Sequence, residues 1–365
     1  MHTIIVVITG LAGATVAVLT VASALQTLVV PRGTTLITHW VQHTVRAAFL
    51  MCTRGSRDYR TCDRIMARFA PTTLVVLPVV WLSLVLAGFV LMYWSLGADS
   101  WRKAFFASGS ALFTTNFEPT ANPLTGPLLM VLAGLGMGLL ALVISYLPSL
   151  YQCYSQRELL VTSLEVEAGS PPSGPGLLER LLRIKGLSLL DTYWSDWKHW
   201  FNELENTHSA VPILVFFRSP APERSWVNAA GAILDSAALV LSAIDTRGNP
   251  QPGAKLCIRS GYLALRRIGH YFGMPYDPAP GPNAPIAVSR AEFDRACERL
   301  AEAGATLKAD RDRAWRDFVG WRATYEGPLL RFAFLCMAPP APWSSDRPIP
   351  FHGPPVSLRR ARFRL

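Results

Sequence analysis

A short run of polar residues, Thr114-Thr115-Asn116-Phe117-Glu118, stands directly before Pro119 in a stretch that is otherwise apolar. Two hydroxyls, an amide and a carboxylate are oxygen donors that can replace water around a cation, and rings of carboxylates attract cations. We call residues 114–118 the polar string. Its members are the candidate cation-binding residues of the chain: Thr114, Thr115, Asn116, Phe117 and Glu118.

Long stretches without charged residues predict the helices that surround the polar string. Only 16% of the residues are charged, against about 25% in an ordinary soluble domain, and the mean hydropathy is +0.25. Residues 3–31, 69–98 and 119–156 contain no Asp, Glu, Lys or Arg. Each stretch exceeds the roughly 20 apolar residues that a membrane-spanning helix needs. The sequence predicts an α-helical membrane protein with three transmembrane helices, and it argues against disorder or a wholly soluble enzyme.

The polar string lies between the second and third of these spans. An outer helix is predicted at 72–96, and Ser100 is placed to cap a short helix at 101–113. That helix is too short and too polar to span a membrane, yet too apolar for an exposed loop. The polar string at 114–118 and an inner helix at 124–151 follow. A half-helix followed by polar backbone is typical of a re-entrant pore loop, because only protein or a water-filled cavity can solvate such backbone at membrane depth.

At these residues the chain resembles the pore-loop cation channels, the superfamily of potassium, sodium and cyclic-nucleotide-gated channels. The resemblance covers residues 72–151 as a pore domain, and it implies a homotetramer that conducts K⁺ or Na⁺ without catalysis. The potassium filter T-V-G-Y-G aligns with the polar string, with Phe117 at the aromatic position. Asn116 and Glu118 replace its two glycines.

Loss of the glycines changes the expected selectivity. Glycine permits the backbone angles that aim successive carbonyls at an axis, whereas glutamate does not. The string is closer to the T-I-G-E-T-P-P filter of cyclic-nucleotide-gated channels and predicts a weakly selective monovalent cation channel. Two alternatives stay open. One is a potassium-selective channel, and the other is a membrane-anchored signalling or scaffold protein without a pore, in which residues 100–120 are a re-entrant anchor.

The inner helix carries the candidate hinge and gate. Gly134 and Gly138 lie near its middle and predict either a packing face or a hinge. Pro148 is expected to kink the helix near its end. The surrounding side chains predict a hydrophobic constriction that closes by dewetting, and they are Tyr146, Leu150 and Tyr151.

Basic residues predict the orientation. Residues 1–31 form the N-terminal transmembrane helix, and the basic segment 32–71 behind it is expected to be cytoplasmic. The N-terminus is then outside, the C-terminal part is cytoplasmic, and the protein is a multi-pass protein of the plasma or inner membrane. Five arginines at spacings of 3, 3, 4 and 4 predict an interfacial helix facing lipid headgroups rather than a voltage sensor: Arg54, Arg57, Arg60, Arg64 and Arg68.

The remainder predicts a linker at 152–176, in which residues 157–167 continue out of the membrane as a short helix or strand. A mainly α-helical cytoplasmic domain at 177–338 follows. A Pro/Arg-rich tail at 339–365 is expected to be disordered or to lie on anionic lipid. The aromatic stripe of the segment 191–205 predicts core or subunit interface, and Asp235 a polar packing contact. The domain is expected to gate the channel at the cytoplasmic end of the inner helix, to serve assembly, or to bind an unidentified cytoplasmic ligand or protein.

Several chemistries lack their motifs. The sequence contains no G-x-G-x-x-G, P-loop, H-E-x-x-H or G-x-S-x-G pattern, so neither an enzyme nor a cofactor is predicted. The six cysteines form no C-x-x-C pair and the histidines have no ligand spacing, so neither a metal site nor a disulfide framework is expected. The net charge of +10 follows from basic segments flanking the membrane, and no nucleic-acid partner is needed.

Overall fold

A computed structural model of the chain describes residues 2–30, 35–56, 58–114, 123–184, 190–246, 250–281 and 284–350. These residues are mainly helical and form no β-strand beyond one isolated bridge between Ile244 and Leu307. In chain order the helices are α1 (His2–Leu28), α2 (Leu36–Thr53), α3 (Tyr59–Met66), α4 (Phe69–Ser95), α5 (Trp101–Leu112), α6 (Thr125–Ala168), α7 (Gly174–Arg183), α8 (Leu190–Ala210), α9 (Trp226–Ser242), α10 (Pro252–Tyr271), α11 (Arg290–Glu302), α12 (Arg311–Ala323) and α13 (Glu326–Cys336).

The chain divides into two compact units. The first lies within residues 1–49 and 69–152, and the second within 50–68 and 153–365. Three helical segments are long and apolar enough to cross a membrane: Ile4–Leu28, Tyr59–Ser95 and Thr125–Ala168. The prediction of an α-helical membrane protein with three apolar spans is therefore confirmed at this level.

In the first unit, α1 packs along α4 through two glycines. A methyl group placed on Gly88 would lie 2.7 Å from the carbonyl oxygen of Gly13, and one placed on Gly13 would overlap the carbonyl oxygen of Gly88. Neither position therefore has room for a larger side chain. Without a hydrophobic driving force between helices in lipid, close backbone approach of this kind supplies much of the packing energy.

The second unit is built around α9, which is buried along nearly its whole length. A helix that is apolar on all sides belongs in the middle of a domain, and α7, α10, α12 and α13 pack against it. Four aromatic side chains of α8 are buried as well, and they are Trp194, Trp197, Trp200 and Phe201. Tyr193 is half-buried. Of the two roles that the sequence predicts for this stripe, core and subunit interface, the burial favours core.

The inner helix is longer than its sequence predicts. Residues 152–168, assigned above to the linker, continue α6 as far as Ala168. Between Pro148 and Gly169 no glycine or proline interrupts the helix, and Gly169 then takes a positive φ of 82°. The linker therefore comprises only the residues between Ala168 and Gly174. Helix α7 begins at Gly174, with Ser173 as its N-cap.

The predicted tail also starts too early. Residues 339–350 are described, and several of their side chains are buried, including Ala341 and Trp343. The side-chain amide of Asn228 donates to the carbonyl of Pro339 at 2.7 Å. These contacts fix the segment against α9, which the high proline content of this part of the sequence concealed.

The five arginines do not share one helix. Arg54 follows the end of α2, and α3 begins only after Asp58, whose carboxylate accepts the N–H of Thr61 at 3.0 Å. Gly55 and Ser56 separate the two helices, so the regular spacing does not correspond to a continuous face. Arg57 lies outside the described residues, and the other four are at least partly exposed: Arg54, Arg60, Arg64 and Arg68.

Candidate functional site

The helix that precedes the polar string is short and capped as predicted. The hydroxyl of Ser100 accepts the N–H of Lys103 at 3.2 Å and satisfies one of the free amides at the start of α5. With 12 residues at 1.5 Å each, α5 is about 18 Å long. The hydrocarbon core of a bilayer is about 30 Å thick, so α5 has the length of a half-span.

One face of α5 is small and buried. Ala104, Ala107, Ser108 and Ala111 lie at helical spacing and pack within the first unit, where α5 contacts α4. Small side chains permit helices to approach closely. The opposite face of α5 exposes large apolar side chains, as a helix surrounded by lipid or by other subunits would: Trp101, Phe105 and Phe106.

The last turn of α5 rests on the inner helix at a glycine. A methyl group on Gly136 would overlap the backbone carbonyl of Leu112, whereas Gly134 and Gly138 have nothing within 4 Å of that position. The sequence points to Gly134 and Gly138, and the close contact at Gly136 is not predicted by it. All three glycines lie in one G-x-G-x-G run, and the sequence carries no signal that selects the middle one.

The polar string begins where the described backbone of this region ends. Thr114 adopts a positive φ of 56°, a conformation that β-branched residues rarely take, and its hydroxyl donates to the carbonyl of Phe113 at 2.7 Å. The other predicted ligands lie outside the described residues: Thr115, Asn116, Phe117 and Glu118. A filter formed by the polar string therefore remains a prediction.

The inner helix presents two different faces. Its buried face, which packs within the first unit, carries Leu129, Leu132, Ala133 and Leu139. The rest of the helix is exposed over more than one row of residues. One row carries Met137, Leu140, Ile144, Leu147 and Tyr151. The neighbouring row follows a regular alternation of three- and four-residue steps, and every residue on it is exposed. We call this face the α6 seam, and its members are Val131, Gly134, Gly138, Ala141, Ser145, Pro148, Gln152, Ser155, Leu159, Thr162 and Val166.

The predicted gate residues are distributed over both faces. Leu150 is only 4% exposed, and it belongs with the buried side chains rather than with a surface that could face a pore. Pro148 lies on the α6 seam inside an unbroken helix, Tyr151 is exposed, and Tyr146 is half-buried. Of the predicted constriction, Tyr151 and Pro148 are the most accessible members.

Beyond the apolar part of α6, Arg157 forms a buried cluster in the second unit. Its guanidinium donates to the carbonyls of Leu214 and Phe217 at 2.9 and 2.8 Å and to a carboxylate oxygen of Glu158 at 2.7 Å. It also lies 3.2 Å from Nε2 of His208. Because the guanidinium can only donate, that imidazole nitrogen must be unprotonated. The sequence does not predict this cluster, although Arg157 is the first charged residue after the third apolar span.

Arg218, which directly follows Phe217 in the sequence, binds α3. Arg218 forms an ion pair with Asp63 and donates to the hydroxyl of Tyr59 at 3.2 Å and to the carbonyl of Cys336 at 2.7 Å. Its own carbonyl accepts the hydroxyl of Tyr154, on α6, at 3.1 Å. The segment before Arg218 is a short 3₁₀ helix at Pro212–Phe216. Its neighbours Phe217 and Arg218 connect α3 to the C-terminal part of α6.

The buried histidine predicts an acid-sensitive second unit. Burial and, next, the charge of Arg157 lower the pKa of His208 well below its ordinary 6.5. The other ring nitrogen, Nδ1, lies 3.0 Å from the hydroxyl of Thr207, and the imidazole packs against the ring of Trp226. Glu158 pairs with Arg157 beside it. The imidazole of His208 therefore binds a proton near pH 6.5 in the unfolded chain, whereas in the folded unit it stays neutral at that pH. We expect the free energy of unfolding to fall as the pH drops below 6.5, by at most about 1.4 kcal/mol per pH unit for this one group.

His208→Gln keeps an acceptor for Arg157 and removes the titration. We expect its thermal unfolding temperature, followed by tryptophan fluorescence in detergent between pH 8 and pH 5, to change less with pH than that of the wild type. His270→Gln, at an exposed position of α10, is the control and should keep the wild-type profile. An unchanged pH dependence in His208→Gln would contradict the assignment.

Among the described residues, no group of three or more His, Cys, Asp or Glu side chains is arranged to hold a metal ion. The cysteines are all free thiols.

No family model, no curated protein and no solved structure matches the chain. Its function must be argued from its own residues.

Proposed function

We propose that the chain is one subunit of a homotetrameric, weakly selective cation channel in a cell membrane. The α6 seam is the observation that carries the proposal. Alternating three- and four-residue steps are the spacing by which helices pack around a common axis. Every residue of this face is exposed in the protomer, and further copies of the same helix are its natural occupants.

The composition of the seam fits its two environments. In the apolar part its side chains are small: Gly134, Gly138, Ala141 and Ser145. They allow either close crossing of helices or space for a hydrated ion along an axis. Past the membrane the seam continues through Leu159 and Val166, which are 70% and 80% exposed in the protomer. Burial of such side chains between copies would stabilise an assembly.

The half-helix α5 supports the same function. The carboxyl end of a helix carries partial negative charge, and α5 ends immediately before the polar string. In a tetramer, four such ends and four Glu118 carboxylates would attract cations to the entrance of a pore. The proposal includes Thr114, Thr115, Asn116 and Phe117 as further lining of that entrance.

In the proposed channel the second unit controls the gate. Since α6 is one helix from Thr125 to Ala168, the cluster around Arg157 anchors the same helix that carries Pro148 and Tyr151. Movement of that anchor would therefore reach the constriction. The proposal keeps the orientation given by the basic segments, with the N-terminus outside and the second unit in the cytoplasm.

Purified protein in planar bilayers is expected to conduct K⁺ and Na⁺, with a reversal potential near zero when the two ions face each other. Glu118→Gln is expected to lower the conductance or weaken block by divalent cations, because it removes the carboxylate ring. A reversal potential close to that of potassium alone would favour the potassium-selective alternative. Absence of current in the wild type together with twofold or monomeric particles would overturn the channel.

Cross-linking tests the seam directly. In a background lacking the six native cysteines, Ser155→Cys is expected to form disulfide-linked dimers between subunits, because its position on the seam faces other copies. The matched control is Leu256→Cys, because the side chain of Leu256 is 51% exposed on α10 but lies off the seam. This variant should form no disulfide-linked dimer. Equal cross-linking of both variants, or none at Ser155, would contradict the tetrameric bundle.

A further inference from the structure

A cleft of about 440 Å³ lies in the second unit, between the loop after α10 and the start of α13. One wall carries Pro275, Tyr276 and Asp277, and the other carries Thr324 and Arg331. Small-molecule sites commonly have volumes of about 300–1,000 Å³, apolar linings and a few polar groups that fix the ligand. The cleft has these proportions.

Arg331 is the polar group that lacks an explanation within the fold. Its side chain is half-buried, burial lowers its pKa, and it forms neither a hydrogen bond nor an ion pair with any residue in the described part of the chain. Buried charges are ordinarily paired. The acidic group of the cleft is engaged elsewhere, because the carboxylate of Asp277 accepts the N–H of Ala279 at 3.0 Å.

A second feature adds positive potential to the same cleft. Helix α13 begins beside it, with Gly327 and Pro328 in the lining, and no side chain caps this helix end. The first acidic residue of α13, Glu326, directs its carboxylate to Arg322 and to the N–H of Ala287 instead. An uncapped helix N-terminus attracts anions.

The walls of the cleft are held in place by Arg266. Its guanidinium donates to the carbonyl of Thr324 at 2.7 Å on one wall and to the carbonyl of Pro278 at 3.1 Å on the other. It also lies 5.1 Å from the ring centre of Tyr276, which is 42% exposed. Arg266 therefore holds both walls of the cleft in place, and the partly exposed ring of Tyr276 is part of the lining.

We propose that this cleft binds a small molecule with one anionic group, a carboxylate or a phosphate, on an aromatic or apolar body. Arg331 and the start of α13 bind the oxyanion, and Tyr276 with the prolines contacts the body. The carboxylate of Asp277 disfavours ligands that carry a second anionic group on the body. The assignment does not depend on whether the chain conducts ions.

Four probes separate the contributions of charge and ring: benzoate, its neutral isostere benzamide, phenyl phosphate and inorganic phosphate. With the full-length protein in detergent, we expect benzoate or phenyl phosphate to bind about tenfold more tightly than benzamide, in line with a charge-assisted hydrogen bond. Inorganic phosphate should bind more weakly than phenyl phosphate. The stronger of benzoate and phenyl phosphate identifies the oxyanion.

Arg331→Gln is expected to lower the affinity for the anionic probe about tenfold and to leave benzamide unchanged. Arg331→Lys should retain part of the affinity. Tyr276→Ala should weaken benzoate and benzamide alike, which keeps the test valid if the arginine variants misfold. Arg316→Gln, at an exposed position of α12, is the control. Equal affinity for benzoate and benzamide, or no change in Arg331→Gln, would overturn the proposal, as would failure of both anionic aromatic probes to bind.

Discussion

Asp235→Ala is expected to destabilise the second unit by about 3–5 kcal/mol, the range found when one partner of a buried ion pair is removed. Asp235 and Arg322 form an ion pair whose side chains are 1% and 0% exposed. Arg322 also donates to Glu326 at 2.9 Å and to the carbonyl of Trp343. Without Asp235, the guanidinium would remain buried with one of its partners missing.

The carboxylate of Asp235 accepts hydrogen bonds from two buried donors. Burial raises the pKa of Asp235, and the guanidinium of Arg322 and the hydroxyl of Tyr325, which donates at 2.7 Å, oppose that rise. The group therefore depends on partners from α12 and from the turn before α13. A polar packing contact is what the sequence predicts at this position, and the structure identifies its partners.

Thermal unfolding of the full-length protein in detergent checks this prediction, with tryptophan fluorescence as the signal. Tyr325→Phe removes one donor and keeps the ion pair, and it should cost only about 1 kcal/mol. The double variant Asp235→Leu/Arg322→Met removes both charges and should be more stable than Asp235→Ala alone. A loss in Asp235→Ala no larger than that in Tyr325→Phe would show that the pair contributes little.

Gly136→Ala is expected to separate α5 from the inner helix. The added methyl group would overlap the backbone carbonyl of Leu112, and backbone cannot move aside as a flexible side chain can. Overpacking of this kind costs about 1–3 kcal/mol. Because the polar string begins two residues after Leu112, we also expect the proposed cation current to be lost or strongly reduced.

Two control glycines make the test specific. Gly109, in α5, and Gly126, in α6, have no atom of the described residues within 4 Å of the place where an added methyl group would lie. Alanine at these helical positions should be neutral or stabilise by about 0.5–1 kcal/mol, since glycine is a poor helix former. Thermal unfolding and bilayer current of all three variants would be compared. A Gly136→Ala protein as stable and as conductive as Gly109→Ala would contradict the contact.

The features predicted correctly from the sequence are local or periodic. The apolar spans and the Ser100 cap each depend on residues within one helix. Such features need no knowledge of distant partners. The buried aromatic face of α8 belongs to the same group, because its helical spacing is visible in the sequence.

The features that the sequence did not reveal depend on distant residues. Arg157 and His208 are 51 positions apart, and Asp235 and Arg322 are 87 apart. The buried segment after Pro339 looked like a tail because its composition is rich in proline, whereas its contacts are with α9. The seam spacing of α6 is legible in the sequence, but only the exposure of those side chains shows that this face is left open.

The contacts of the second unit impose an order on biosynthesis. Asp63, in α3, is translated about 150 residues before Arg218, with which it forms an ion pair. The last described contacts of the second unit involve Trp343 and Arg347. All three apolar spans therefore leave the ribosome before this unit can close. Until then α3 lacks these partners, and the unit can complete its packing only after Arg347 has been synthesised.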